Sequence, residues 1–339
     1  MYHLVSPTGR GLFNGIIAQS GAPFSTLISP ELMPADKPRR HATVLANSFA
    51  CDTSSDEALL SCLRDQSWED LVAVNIQDYI ATVDPWDAVV DSYLEDPFLP
   101  DTPSRLAKMG KHNDVPIMLG VNSEEGIYTV AKYIKDPTLF SEINLSWDTF
   151  GPLYIFDTDT PTTKMREVAQ NVKSFYLGEE VASLDNVHKV IDMFSDIVFW
   201  AGAERFVQIA AVAPRSPVFQ YLLTAKSSNS YANLVLGLDN DDLGVCHADD
   251  LYHLFKNHVH EMTFNQDDLF LRDFFLTTWS NFVRSGEPLE GTWSRVTADS
   301  PNYLNISFEP HMERSPEYSA RMEFWMDILD EMTRLDEFC

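Results

Sequence analysis

Two segments of this chain carry residues whose types and order suit acyl-transfer chemistry. Gly244-Val245-Cys246-His247-Ala248-Asp249-Asp250-Leu251 offers a histidine on a turn fenced by acids, and Val121-Asn122-Ser123-Glu124-Glu125-Gly126 offers a carboxylate just after a run that reads as a strand. A serine nucleophile needs a base within hydrogen-bond reach, and the imidazole of that base needs a carboxylate to fix its tautomer. In one chain order of this chemistry the serine comes first, on a strained G-x-S-x-G turn, followed by the acid and then the histidine. No G-x-S-x-G occurs among the 339 residues. The expectation is the back portion of a serine ester hydrolase whose nucleophile lies before Met1. Taken singly, a loop glutamate reads as a solvated surface acid and a loop histidine as an ordinary surface residue.

Other clusters carry less chemistry. Asp239, Asp241, Gly244 and Asp250 mimic the spacing of a calcium loop, but Leu243 occupies a ligand position and no helix pair flanks it. His258, His260 and Glu261 are metal-ligand types on a connection, where adjacent polar residues ordinarily face water. The aromatic stretch from Phe270 to Phe282 reads as core packing, and there is no glycine-rich phosphate loop. No metal and no cofactor is expected.

The elements that must position these residues follow from the apolar pattern. Short apolar runs bounded by turn residues mark strands at Gly15 to Gln19, Pro116 to Val121, Val218 to Leu223 and Tyr303 to Phe308. Helical periodicity covers Thr162 to Leu177, Asn186 to Ala213 and Gln266 to Arg284. A last helix starts near Pro316 with Met322, Trp325, Ile328, Leu329 and Met332 on one face. Strands separated by long helical stretches predict an α/β fold, a mostly parallel sheet with helices on both faces. Glu125 and His247 then both follow strands and reach the carboxyl edge of the sheet, where sites of such folds lie. No repeat, low-complexity tract or linker divides residues 1–339, so one domain is expected.

Composition narrows the function classes. With 51 acidic against 24 basic residues and a formal charge of −27, the chain would be repelled by nucleic acid and by anionic membranes and would favour cationic partners. No run approaches the roughly 18 apolar residues of a spanning helix, and Met1-Tyr2-His3 lacks the features of a signal peptide. Cys51 and Cys62 flank a segment in which Ser54 and Glu57 form a capping-box pattern. The spacing fits a bridge closing a short loop, worth roughly 3 kcal/mol, but in an intracellular chain spacing alone favours two buried thiols. Cys246 and Cys339 look unpaired, and a terminal Cys339 would permit a disulfide-linked dimer. The triplets Asn144-Leu145-Ser146 and Asn305-Ile306-Ser307 are glycosylation sequons and point toward a secreted chain.

At this point the residues resemble the type-B carboxylesterase/cholinesterase family, along the whole chain. Ser6-Pro7, Arg10-Gly11-Leu12-Phe13 and Ala18-Gln19-Ser20-Gly21 look like the stretch that follows the family's nucleophile elbow. Cys51 and Cys62 with Ser55-Asp56-Glu57 between them resemble a family disulfide. Val90-Asp91 with Phe98-Leu99-Pro100-Asp101 is similar to the strand and turn that precede the acid. Gly120-Val121-Asn122 with Glu125-Gly126 looks like the motif of the catalytic glutamate, and Gly244-Val245 with His247 and Asp250-Leu251 like that of the histidine. Trp279-Ser280-Asn281-Phe282, Gly286, Pro288 and Trp293 resemble the closing segment.

The resemblance implies an α/β-hydrolase fold incomplete at its amino end, with residues 1–339 its carboxyl-terminal portion. It implies Glu125 as triad acid, His247 as base and Ser20 as a supporting hydroxyl, with Glu124 the neighbouring alternative to Glu125. The nucleophile and the oxyanion loop would precede Met1, the substrate would be a small-molecule or lipid ester, and the full-length form would be extracellular. Pro23-Phe24 stands where cholinesterases carry a tryptophan after Ser-Gly, a departure from choline-ester sites. A second class sharing this pattern is the cholinesterase-like adhesion proteins, which keep the fold and have lost the nucleophile. They usually continue into a membrane anchor, and retention of both Glu125 and His247 favours the enzyme.

Overall fold

The computed structural model describes residues 1–23, 36–74, 86, 88–158, 161–212, 216–239, 242–257 and 259–336. Phe24, Asp241, Ala213, His258 and Cys339, each singled out above, lie outside the described residues. Five strands, β1 (Ile16–Gln19), β2 (Ile117–Asn122), β3 (Val218–Leu223), β4 (Tyr303–Ile306) and β5 (His311–Glu313), form one sheet in that order. The first four run parallel and β5 returns antiparallel beside β4.

The two central strands, Ile117-Met118-Leu119-Gly120-Val121-Asn122 and Val218-Phe219-Gln220-Tyr221-Leu222-Leu223, are buried at every position. That is the signature of a parallel strand covered on both faces. The two-residue period sorts their side chains. Ile117, Leu119, Val121, Val218 and Leu222 pack on one side with the helices Ile127–Lys135, Thr163–Leu177, Val187–Ser195 and Pro316–Asp336. Met118, Phe219, Tyr221 and Leu223 pack on the other with Leu271, Phe275, Trp279 and Phe282 of the helix Gln266–Ser285 and with Trp293. In the centre of the sheet Gly120 pairs with Tyr221, and a Cβ at Gly120 would lie 2.2 Å from the Tyr221 ring. Only hydrogen fits there.

The structure departs from the sequence expectations in three places. The helix expected from Asn186 to Ala213 is three pieces: Val187–Ser195, a π-helical turn Asp196–Trp200, and Ala201–Val212. The cap near Cys51 is Ser55, whose Oγ accepts from Ala58 N at 3.1 Å at the head of the helix Asp56–Arg64, while Ser54 lies outside it. The apolar face of the last helix is buried as expected at Met322, Trp325, Ile328 and Met332, but β5 and the helix Ile127–Lys135 were not legible. Finally, a disulfide joins Cys51 and Cys62, resolving the choice that spacing left open.

The tight fit at Gly120 yields a stability prediction. Gly120→Ala forces a methyl into the Tyr221 ring at the middle of the sheet, where overpacking costs about 1–3 kcal/mol. Urea denaturation should show a lower midpoint. Replacing Tyr221 by leucine in the same chain should recover part of the loss, because the obstructing ring is then gone.

Candidate active site

Parallel pairing brings the carboxyl ends of β1, β2 and β3 to one edge, and each is followed by a residue of the site. Ser20 ends β1 with φ +56°, its N–H donating to the Gly120 carbonyl at 2.8 Å. A non-glycine residue holds this left-handed conformation only where its surroundings insist on it. Here the Ser20 hydroxyl donates to Glu125 Oε1. Glu125 stands three residues past β2 with no exposed surface. Its Oε1 also accepts from Asn122 N–H at 2.8 Å, and its Oε2 lies 2.7 Å from His247 Nδ1. A buried carboxylate is costly unless paired and hydrogen-bonded, and this one meets three donor groups from three segments. His247 keeps 32% of its side chain exposed, so with Nδ1 held by the carboxylate, Nε2 is the nitrogen left for a reacting group.

Burial of the imidazole works against its charged form. The hydrogen bond and charge of Glu125, with Asp250 and Asp249 behind it, outweigh that burial and hold the His247 pKa above its ordinary value. The ring also meets Phe199 in a stack, centroids 4.6 Å apart, and Tyr128 at 5.6 Å.

The turn carrying His247 is fastened by its acids. Asp249 accepts from Ser230 Oγ at 2.8 Å, Tyr231 N–H at 2.6 Å and Cys246 N–H at 2.9 Å. Asp250 accepts from Gln19 Nε2 at 2.7 Å and Tyr221 OH at 3.1 Å. Asp250 thereby ties the turn to Gln19 at the end of β1 and to Tyr221 within β3. Among the described residues no three His, Cys, Asp or Glu side chains gather as metal ligands do. Glu124 holds the same turn from the other side: its Oε2 accepts from Val245 N–H at 2.8 Å and its N–H donates to the Val245 carbonyl at 3.0 Å. Gly244, at φ +91°, is required there, since a Cβ would sit 2.1 Å from Glu124 Oε2. Glu124 is thus a fastener, and it makes none of the His247 contacts described. Cys246 is buried as a free thiol whose pKa burial pushes far up.

Asn122 is the residue the sequence reading left without a role. Its N–H binds Glu125, its Nδ2 donates to the Cys246 carbonyl at 2.8 Å, and its own carbonyl accepts from Trp200 Nε1 at 3.0 Å. Nothing local in the sequence marks Trp200 for this contact. The sequon asparagines lie away from these contacts. Asn144 Nδ2 donates to the Ala182 carbonyl at 2.9 Å, and Asn305, on β4, donates to Glu313 Oε1 at 2.6 Å. Both amides are therefore engaged within the fold.

His253 closes the short helical turn Asp249–His253 that follows His247. It is 2% exposed, stacked on Phe275 at 5.2 Å, and neither ring nitrogen has a hydrogen-bond partner. Burial lowers its pKa to about 4 against the opposing charge of Asp268. The folded state thus prefers the neutral ring. Its contribution is complete above the unfolded value of about 6.5 and is lost as pH falls toward the folded one, by about 3 kcal/mol at full protonation. His253→Phe should flatten that part of the acid limb, seen as a smaller difference between urea midpoints at neutral pH and in mild acid.

Comparison with known proteins gives the family. The profile of the carboxylesterase family matches residues 1–325. Among curated relatives, venom carboxylesterase-6 of Apis mellifera is 27% identical over 342 residues, covering 96% of this chain and 59% of its own length. A carboxylic ester hydrolase of Bombus ignitus is 29% identical, with coverages of 96% and 59%. Juvenile hormone esterase of Tribolium castaneum is 25% identical, with 90% and 55%. The chain therefore spans a little under three fifths of the length of the relatives it matches. With the match running through residue 325 of 339, and with a mostly parallel sheet clad by helices on both faces, the chain belongs to the carboxylesterase family and has its α/β-hydrolase fold.

Proposed function

We propose that the protein acts as a carboxylic-ester hydrolase, in which Glu125 is the acid and His247 the base of a Ser-Glu-His triad. The observation that carries this reading is the fully buried Glu125 carboxylate 2.7 Å from Nδ1 of a partly exposed His247. Family membership supports the reaction class. The nucleophilic serine and the oxyanion donors are assigned to a further part of the polypeptide, upstream of Met1, because no G-x-S-x-G lies within the chain and residues 1–339 serve as the carboxyl-terminal portion of one domain.

The chemistry follows from the geometry. His247 Nε2 takes the serine proton as the hydroxyl attacks the ester carbonyl, and the resulting imidazolium keeps its Nδ1–H on Glu125. The proton then passes to the leaving alcohol, and a water repeats the sequence to release the acid. Ser20 and the Asn122 N–H hold the second carboxylate oxygen, so Glu125 cannot turn away from the ring. The substrate is a small-molecule or lipid ester. The Cys51–Cys62 disulfide supports an oxidising, extracellular location.

In the full-length protein Glu125→Gln should lower ester turnover by several orders of magnitude, on the scale of the roughly 10⁴ lost in the comparable triad substitution. Glu124→Gln should cost far less, since the amide oxygen can still accept from Val245. Reversed costs would move the acid by one residue. Because the base must be neutral, activity should rise with pH through a value above 6.5, the ordinary histidine value, and Glu125→Gln should shift that limb downward. Residues 1–339 expressed alone should hydrolyse no ester and take up no serine-directed fluorophosphonate. The coding sequence ahead of Met1 should encode Gly-x-Ser-x-Gly within a few codons, and an elbow with another residue in place of serine would mark a binding protein instead.

A further inference from the structure

Resting on the acid and base assignment above, we propose that the π-helical turn Asp196–Trp200 is a positioning device for the Glu125–His247 pair. Phe199 sets the imidazole and Trp200 sets the end of the strand that carries the carboxylate. The two residues are adjacent in sequence and grip the two halves of the pair. The Phe199 ring lies on the face of His247, centroids 4.6 Å apart and planes 29° apart. The Trp200 indole N–H donates at 3.0 Å to the carbonyl of Asn122, whose own N–H binds Glu125 Oε1 at 2.8 Å and whose side chain binds the Cys246 carbonyl at 2.8 Å.

A π-turn is a defect in the helix it interrupts and survives where something holds it. Here the Ala201 N–H reaches back to the Asp196 carbonyl. Asp196, with no exposed surface, accepts from Arg321 Nε at 2.7 Å, from an Arg321 terminal nitrogen at 2.5 Å and from the Tyr176 hydroxyl. The Arg321 guanidinium also lies 4.8 Å from the Trp200 ring centroid, and Trp325 Nε1 donates to Tyr176 OH at 2.8 Å. Two distant helices, Thr163–Leu177 and Pro316–Asp336, thereby anchor the turn. Within the turn, the consecutive side chains of Phe199 and Trp200 reach the imidazole and the β2 end together.

The stack matters because His247 is held at one nitrogen only. A single hydrogen bond to Glu125 leaves the ring free to swing about the bonds to its Cβ, and a flat ring against one face removes that freedom. The Phe199 face also favours the imidazolium formed during the reaction. Misplacement of a reacting group by about 1 Å costs on the order of a hundredfold, so loss of the stack should cost roughly tenfold or more.

The test uses the full-length protein with a p-nitrophenyl ester as probe. Phe199→Leu should lower kcat about tenfold or more while KM changes less than twofold, and Phe199→Tyr, which keeps the flat ring, should restore most of it. Trp200→Phe keeps the bulk and removes the N–H donor, and it should likewise lower kcat with KM little changed. Thermal melting of each variant separates this from unfolding. Independently of any substrate, the low-field Nδ1 proton resonance of His247 should exchange faster with solvent in Phe199→Leu than in the parent. A parent-like resonance and kcat in Phe199→Leu, or a rise in KM with kcat unchanged, would overturn the proposal, the latter making Phe199 a substrate contact. Glu125→Gln serves as the control: turnover retained there overturns the acid assignment and the positioning role with it, whereas turnover lost there but intact in Phe199→Leu overturns the positioning role alone.

Discussion

A carboxylate with no access to water must find its hydrogen bonds within the protein, and Glu125 is such a group. The cost of burying it uncompensated runs to several kcal/mol. Its donors come from the end of β1, the end of β2 and the loop beyond β3. None of the three is useful unless the strands stand in their parallel register with their carboxyl ends level. The sheet order is therefore a condition for satisfying one side chain, and that side chain in turn ties the three strand ends together. Asn122 multiplies the effect, joining the carboxylate, the histidine loop and the Asp196–Trp200 turn through its own backbone and side chain.

The rest of the molecule bears on this edge at a distance. The turn that carries His247 has little regular structure of its own, yet Asp249, Asp250 and Glu124 clamp it from three directions. Loops hold side chains best when a rigid scaffold aims them, and here interior acids share that task with the Phe199 ring. The same solution recurs behind the site, where Asp196 receives Arg321 from the last helix. Much of the chain's acidic excess is on its surface, but the acids nearest His247 are interior and committed.

The strands at β1 to β4 were legible to within one or two residues because each is a short, mostly apolar run bounded by turn residues, and the two central ones are buried at every position. β5 was not, since three half-exposed residues at a sheet edge have no such pattern. The helix over residues 186–213 read as continuous because one inserted residue barely disturbs a helical period, and the break at Asp196 shows only in three dimensions. Glu125 and His247 were singled out by residue type and by their place after strands, and Ser20 only through the family resemblance. The contacts of Phe199 and Trp200 were not, for Trp200 meets Asn122 across 78 positions of sequence, and no local rule spans that gap. Position-specific caps fared no better: Ser54 is the cap that the pattern suggests, and it is the Ser55 hydroxyl that faces the Ala58 amide.

Cys246 stands immediately before His247, buried and unpaired, in a chain that also contains a disulfide. Thiol–disulfide exchange proceeds through the thiolate. Burial disfavours that anion, and the charges of Asp249 and Glu125 add to the effect. The Cys246 sulfur is thus kept protonated by its burial, with the acids that organise the histidine adding to it, and it cannot readily attack the Cys51–Cys62 bridge once the loop has closed. Before closure it has no such protection. Docking of the histidine loop thus removes one competitor from the pairing of Cys51 with Cys62.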